Sequence, residues 1–112
     1  MFKLSADPRF THEVKVQVPV DGGHKEQSFK ATFRVLPLDQ LTAEDEDASS
    51  DDQSQVNTLR KVVVGLDDLV DDAGEPVPYS DEIRDQLIGV PYVRIALMQT
   101  YIRAITKVKA GN

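Results

Sequence analysis

Two runs of alternating apolar and polar residues constrain the fold of this chain more than any other feature. In residues 10–20 every second residue from Val14 onward is Val, and in residues 27–36 Phe, Ala and Val alternate with polar residues. A two-residue period is typical of a strand with one buried and one exposed face. Residues 21–23, Asp-Gly-Gly, tolerate the backbone of a tight turn, so the sequence predicts an antiparallel β-hairpin. Pro19 predicts that the first strand lies at a sheet edge or ends there.

Three segments with helical spacing follow and are predicted to cover the apolar face of the hairpin. Apolar residues recur every three or four positions in residues 51–64. Ser80 is a preferred N-cap for a helix over 81–88, and Pro91 suits the first position of a helix over 91–107. The sequence therefore predicts an α+β fold, in which an N-terminal antiparallel β-hairpin packs against about three helices, the last of them long and amphipathic.

The chain length predicts a single domain over residues 1–112. With 40% hydrophobic and 29% charged residues, the composition is that of a soluble globular protein. We expect a flexible N-terminus over 1–9, an acidic mobile loop over 42–52 and a flexible C-terminus over 109–112, because these stretches offer little to a core.

Charge is distributed unevenly along the chain, whose formal net charge is -6. Residues 37–82 contain fourteen Asp or Glu and two Lys or Arg, a charge of -12, whereas residues 1–36 carry +2 and residues 83–112 carry +4. A DNA-binding domain normally has a dense basic patch, and the acidic stretch would repel phosphates. We therefore expect no nucleic-acid partner.

Several classes of protein are disfavoured by what the sequence lacks. Without cysteine there is no disulfide framework, zinc–thiolate site or cysteine nucleophile. No apolar run approaches the roughly 20 residues that span a bilayer, and the first residues lack the apolar core of a signal peptide. The sequence predicts a soluble protein with no visible secretion signal and no membrane partner.

No group of residues matches a catalytic or metal-binding motif. His12 and His24 are interpreted as exposed strand and turn residues, because no cysteine accompanies them and metal geometry is demanding. The acidic residues 67–75 lack the Gly and Glu positions of an EF-hand loop, and no nucleophile elbow or phosphate-binding glycine loop occurs. We expect no catalytic residues, no metal ligands and no cofactor, and hence a protein that is not an enzyme.

The last helix supplies the candidate partner-binding residues. Its apolar stripe is predicted mainly to cover the Val/Phe face of the hairpin, but the stripe is broad and is flanked by Arg and Tyr, which are common at interfaces. One edge of the stripe would then lie in the core, and the other would face a partner or a second copy. The residues predicted to bind a partner are Arg94, Met98, Tyr101, Ile102, Arg103 and Ile105.

Four stretches follow one another in a recognisable order: FRVLP at 33–37, LRKVVVGL at 59–66, DDAGEPVPYS at 71–80 and IGVPYVRIAL at 88–97. Their order resembles that of the small tail assembly chaperones of long-tailed, siphovirus-type phages and prophages. The similarity covers roughly residues 10–105, with Leu66 where many such proteins have Trp.

This resemblance implies a role and a set of partners. Such proteins bind the long, apolar tape measure protein in the host cytoplasm, keep it soluble before the tail tube polymerises, and are absent from the mature virion. Many also have a longer form, made by ribosomal frameshifting, which would give access to the tail tube protein. The alternative is a structural subunit, either a minor tail protein or a head–tail connector.

The charge pattern adds a hypothesis of self-association. The basic rim of the last helix is complementary to the acidic middle of a neighbouring copy. A head-to-tail contact of this kind would generate open oligomers along a rod-like client.

Overall fold

Three antiparallel strands and three helices make up the part of the chain that the structure, a computed structural model, describes: residues 1–2, 4, 7–37 and 51–106. The predicted α+β fold is confirmed. Most of the predicted acidic loop and all of the predicted C-terminal tail lie outside the described residues. The elements are β1 Arg9–Val20, β2 Gly23–Arg34, α1 Asp51–Val62, β3 Val63–Asp67, α2 Asp81–Ile88 and α3 Pro91–Thr106.

The predicted hairpin forms along its whole length. β1 and β2 pair without interruption from Arg9 opposite Arg34 to Val20 opposite Gly23. Gly22 occupies the turn with a φ of 81°, a conformation that costs glycine little and other residues more. The prediction from alternation and turn chemistry is therefore confirmed.

The third strand, β3, was not predicted, and the expectation that the helix continues to Val64 is wrong. The helix ends at Val62, and the next residue begins a strand beside β2, giving the sheet order β1-β2-β3. β-Branched residues lose side-chain freedom in a helix and pack well in a sheet, so the valine run favours this switch. Gly65 allows the close approach, because a Cβ there would lie 3.3 Å from Cβ of Thr32.

The helices cover one face of the sheet and leave the other face exposed. Val14, Phe33, Leu59 and Leu97 are at most 1% exposed and meet in the core. Each such side chain contributes about 1.5–3 kcal/mol relative to an exposed one. No helix in the described part of the chain is both long and apolar enough to cross a membrane.

Part of the predicted flexible N-terminus is held against the sheet. The Asp7 carboxylate lies 2.9 Å from the Arg9 guanidinium and 3.5 Å from that of Arg34. The Val35 amide donates a hydrogen bond of 3.0 Å to the Pro8 carbonyl, which continues the hairpin pairing by one step. Asp7 and Pro8 therefore contact the open end of the hairpin.

The short helix α2 begins as its sequence predicts. The Ser80 hydroxyl accepts a hydrogen bond of 3.1 Å from the Ile83 amide, which satisfies one of the amides that a helix leaves unpaired at its start. The helix ends at Ile88, and Pro91 opens α3 shortly afterwards. This tight junction fixes the direction in which α3 crosses beneath the sheet.

Candidate functional site

Helix α3 carries apolar side chains on two opposite faces. Its inner face is buried against the sheet through Val93, Ala96, Leu97 and Tyr101. On the opposite side Ile95, Ile102 and Ile105 are 51%, 46% and 44% exposed. A helix that is apolar all round is normally buried on all sides. The outward apolar residues therefore form the candidate site.

We call this surface the outer face of α3 and define it by Ile95, Met98, Ile102 and Ile105. These residues follow one another at intervals of three and four, so they lie along one side of the helix. Met98 is half-buried and joins the outer face to the core. The arrangement is suited to packing against an apolar helix, which uses the same spacing.

Tyr101, a predicted partner-binding residue, belongs to the core. It is 3% exposed, and its ring centroid lies 5.5 Å from that of Phe33 and 6.2 Å from that of Phe10. Burial raises the pKa of its phenol, and the nearby backbone of Leu36 offsets part of that effect. Tyr101 is therefore removed from the accessible surface, because aromatic packing with the sheet claims its side chain.

Arg94 is likewise turned inward. Its side chain is 12% exposed, one guanidinium nitrogen donates a hydrogen bond of 3.3 Å to the Ile88 carbonyl, and another lies 3.6 Å from the Asp52 carboxylate. The first contact satisfies a carbonyl at the end of α2, where carbonyls lack helical partners. Arg94 thus ties α1, α2 and α3 together and is not available to a partner.

Arg103 is exposed but lies beside the outer face. It lines a groove of about 320 Å³ between α3 and β1, together with Glu13 and Lys15 of β1 and the neighbouring Gln99. Its guanidinium is 3.5 Å from the Gln99 amide oxygen. Arg103 therefore lies beside β1, next to the apolar outer face but not part of it.

A second groove, of about 530 Å³, collects Arg34, Arg60, Lys61 and Arg84 near the end of β2. Acidic residues offset this charge: Arg60 and Arg84 both contact the Asp85 carboxylate, at 3.3 Å and 3.0 Å. Sequence patterns did not indicate this cluster, because its members come from separate elements. Its geometry is that of a network of ion pairs bracing α1 against α2.

Tyr79 and Arg84 titrate away from their ordinary values in this network. Burial raises the pKa of Tyr79, and its hydrogen bond of 3.3 Å to Asp81 acts in the same direction, against the charge of Arg84. Burial alone would lower the pKa of Arg84, but its contacts with Asp85 outweigh that effect and raise it. Both groups stay in their ordinary protonation states near neutral pH.

The acidic turn after β3 is held in shape by hydrogen bonds between one of its carboxylates and its own backbone amides. The Asp71 carboxylate accepts hydrogen bonds from the Ala73 and Glu75 amides, at 2.9 Å and 3.0 Å. Among the described residues, no group of three or more His, Asp or Glu side chains is placed to hold a metal ion. The turn therefore uses its carboxylate to shape the loop.

The structure leaves Met98, Ile102, Arg103 and Ile105 of the predicted partner-binding residues accessible, at least in part. It adds Ile95, which the sequence analysis missed although it precedes Ile102 by two helical turns. Comparison with protein-family models, with curated proteins and with solved structures gives no match. The outer face is accordingly interpreted from its own geometry.

Proposed function

We propose that this chain is a non-catalytic assembly chaperone of a long-tailed phage or prophage, which binds the tape measure protein and keeps it soluble. The observation that carries the proposal is the outer face of α3, an apolar helical surface that none of the other described elements covers. In this role the client's apolar helices pack against that face.

The energetics of the outer face suit a holding function. Each isoleucine that a client covers completely contributes about 1.5–3 kcal/mol relative to its exposed state. Ile95, Ile102 and Ile105 are each only about half exposed, so covering all three contributes about 2–4 kcal/mol, and other contacts with the client must offset the rest of the entropic cost of association. A chaperone that must release its client at polymerisation requires reversible binding of this kind.

The charge distribution supports the same role. The chain carries a net charge of -6, the sum of -12 in residues 37–82 and +6 in the rest of the chain. Net charge of one sign keeps proteins dispersed, and a bound client shares that repulsion. The order of segments that resembles tail assembly chaperones is the second line of support, and it specifies the tape measure protein as client and the host cytoplasm as the place of action.

Co-expression with a tape measure protein, whose gene we expect just downstream of this one, tests the proposal. We expect the wild-type chain to raise the soluble fraction of the client and Ile102→Lys to reduce that effect, because a charge on the outer face opposes apolar packing. Gln86→Lys is the control, since it makes the same charge increase at an exposed position of α2 and leaves the outer face of α3 unchanged. The measurement is the client's soluble fraction, with thermal melts to confirm that both variants fold.

Two results would contradict the proposal. One is a client equally soluble with and without the wild-type chain. The other is the presence of this chain in purified virions at a fixed copy number, which identifies a structural subunit such as a minor tail or connector protein instead.

A further inference from the structure

β1 is an edge strand with an open outer side. It has twelve residues and lies at one end of the sheet, with β2 as its neighbour. No backbone hydrogen bond from the described residues reaches its other side. An edge strand of this length presents a row of amide and carbonyl groups to which another strand can pair.

The hydrogen-bonding pattern of the hairpin identifies which residues of β1 face outward. Val20 and Gly23 close a two-residue turn, and the Val35 amide bonds to the Pro8 carbonyl at the other end. Even-numbered residues of β1 therefore bond to β2, and odd-numbered residues direct their backbone groups to the open side. Pro19 agrees with this assignment, because its missing N–H falls on the open side, where proline is tolerated.

The open side of β1 is complementary in charge to itself. If a second β1 pairs with it antiparallel about Val14, Glu13 lies opposite Lys15 of the partner subunit, and Lys15 lies opposite Glu13 of the partner subunit. Moving the axis to Glu13 or to Lys15 instead places like charges directly opposite each other. Opposite charges across strands stabilise a pair and like charges destabilise it, so the charges select one register.

The surroundings of β1 leave space on the open side. The groove of about 320 Å³ between β1 and α3 is lined on the helix by the small residues Ala96, Thr100 and Ala104 and by the longer side chains of Gln99 and Arg103. In the register centred on Val14, the alternation of apolar and polar residues also continues across the junction. The two apolar faces then form one surface, with the helices of both copies on the same side.

We propose that the occupant of this edge is a second copy of the same chain. The two copies form a closed dimer with a continuous six-stranded antiparallel sheet and a two-fold axis at Val14. A lone lysine on an edge strand discourages pairing. Here Glu13 lies two residues from Lys15. These charges disfavour pairing with other strands, but they attract the β1 strand of a second copy. The inference goes beyond the chaperone role and does not depend on it.

Sedimentation equilibrium of the wild type and three variants tests the dimer. We expect a wild-type dimer and, for Lys15→Glu, dimerisation at least roughly ten-fold weaker, since both symmetric contacts change from attraction to repulsion. Lys25→Glu makes the same charge change on β2 and is expected to dimerise like the wild type. The double variant E13K/K15E reverses both charges and is expected to restore the dimer.

A second measurement examines the wild-type contact directly. A zero-length carbodiimide cross-linker applied to a mixture of ¹⁴N- and ¹⁵N-labelled chains is expected to join Glu13 of one copy to Lys15 of the other, a product that mass spectrometry identifies as mixed in isotope. Thermal melts check that each variant folds, including the double variant, in which E13K places a lysine opposite Lys30 within the hairpin. A wild-type monomer, a dimer that Lys15→Glu leaves unchanged, or a dimer abolished by Ile102→Lys would overturn the proposal.

Discussion

At the scale of single residues, the six side chains predicted to bind a partner fall into two groups: two that stabilise the fold and four that remain accessible. Tyr101 fills the space between Phe10 and Phe33, and Arg94 satisfies the Ile88 carbonyl, so both serve the fold. The Tyr101 hydroxyl is buried and makes no hydrogen bond of good geometry to any described residue. A buried polar group in this situation is a cost to the folded state.

Replacing Tyr101 by Phe tests this interpretation. The ring packing is kept and the unsatisfied hydroxyl is lost, so we expect the free energy of unfolding at neutral pH to stay within about 0.5 kcal/mol of the wild type or to rise. Tyr101→Ala removes the ring and is expected to cost about 3–5 kcal/mol. Urea denaturation measures both variants, and a large loss with Phe would show that the hydroxyl is a needed hydrogen-bonding group.

The wild type and Tyr101→Phe are also expected to differ in how their stability depends on pH. Because burial raises the pKa of Tyr101 in the folded state, the unfolded chain ionises first, near pH 10. Wild-type stability is therefore complete below that pH and is lost as the pH rises through the folded pKa, and Tyr101→Phe should lose less. Tyr79, whose pKa is also raised, leaves a residual dependence in the variant.

At the scale of elements, the sequence sufficed to predict those features that depend on residues close together in the chain. The hairpin and the Ser80 cap follow from period-two alternation, turn chemistry and capping geometry, each of which involves neighbours in the chain. β3 could not be predicted in this way. Its valines suit a helix end or a strand, and pairing with β2, distant in sequence, decides between them. The direction of α3's stripe was ambiguous for the same reason, since which side faces the sheet is a tertiary property.

The pairing of β3 with β2 gives a prediction with a built-in control. Gly23 and Gly65 both lie in strands, but a Cβ at Gly23 meets nothing within 4 Å, whereas one at Gly65 meets Thr32 at 3.3 Å. We expect Gly23→Ala to stabilise the fold by about 0.4–1 kcal/mol by restricting the unfolded chain. Gly65→Ala should gain nothing or lose stability, because Thr32 must move. An equal increase in stability for both variants, measured by thermal or urea unfolding, would show that a Cβ at residue 65 fits beside Thr32 without displacing it.

At the scale of the whole molecule, the two proposed contacts lie on different surfaces. The outer face of α3 points away from the sheet, whereas the outer side of β1 continues the sheet plane. A dimer formed through β1 therefore carries two outer faces, both still accessible. A closed pair of this kind differs from the head-to-tail contact that the charge pattern suggested, which has no natural end.

The separation of the surfaces predicts that their variants are independent. Ile102→Lys should dimerise like the wild type while losing the client, and Lys15→Glu should remain able to bind the client as a monomer. Light scattering and client pull-down on each variant measure the two properties. If Ile102→Lys also abolishes the dimer, the proposal of pairing through β1 is wrong. If Lys15→Glu also loses the client, the outer face of α3 is not sufficient for client binding.

The direct junction between α1 and β3 has a consequence for the order of folding. A hairpin closed by two residues forms within microseconds, because its ends need no search. Ala31 pairs with Leu66 only after the chain beyond β2, including α1, has returned to the sheet. Closing this long loop costs conformational entropy before the contacts between β2 and β3 can form. Because Val62 ends the helix and Val63 begins the strand, we expect the last turn of α1 and the docking of β3 to form together. Until then the edge of β2 that β3 covers at residues 30–33 is exposed, which favours aggregation of a newly made chain.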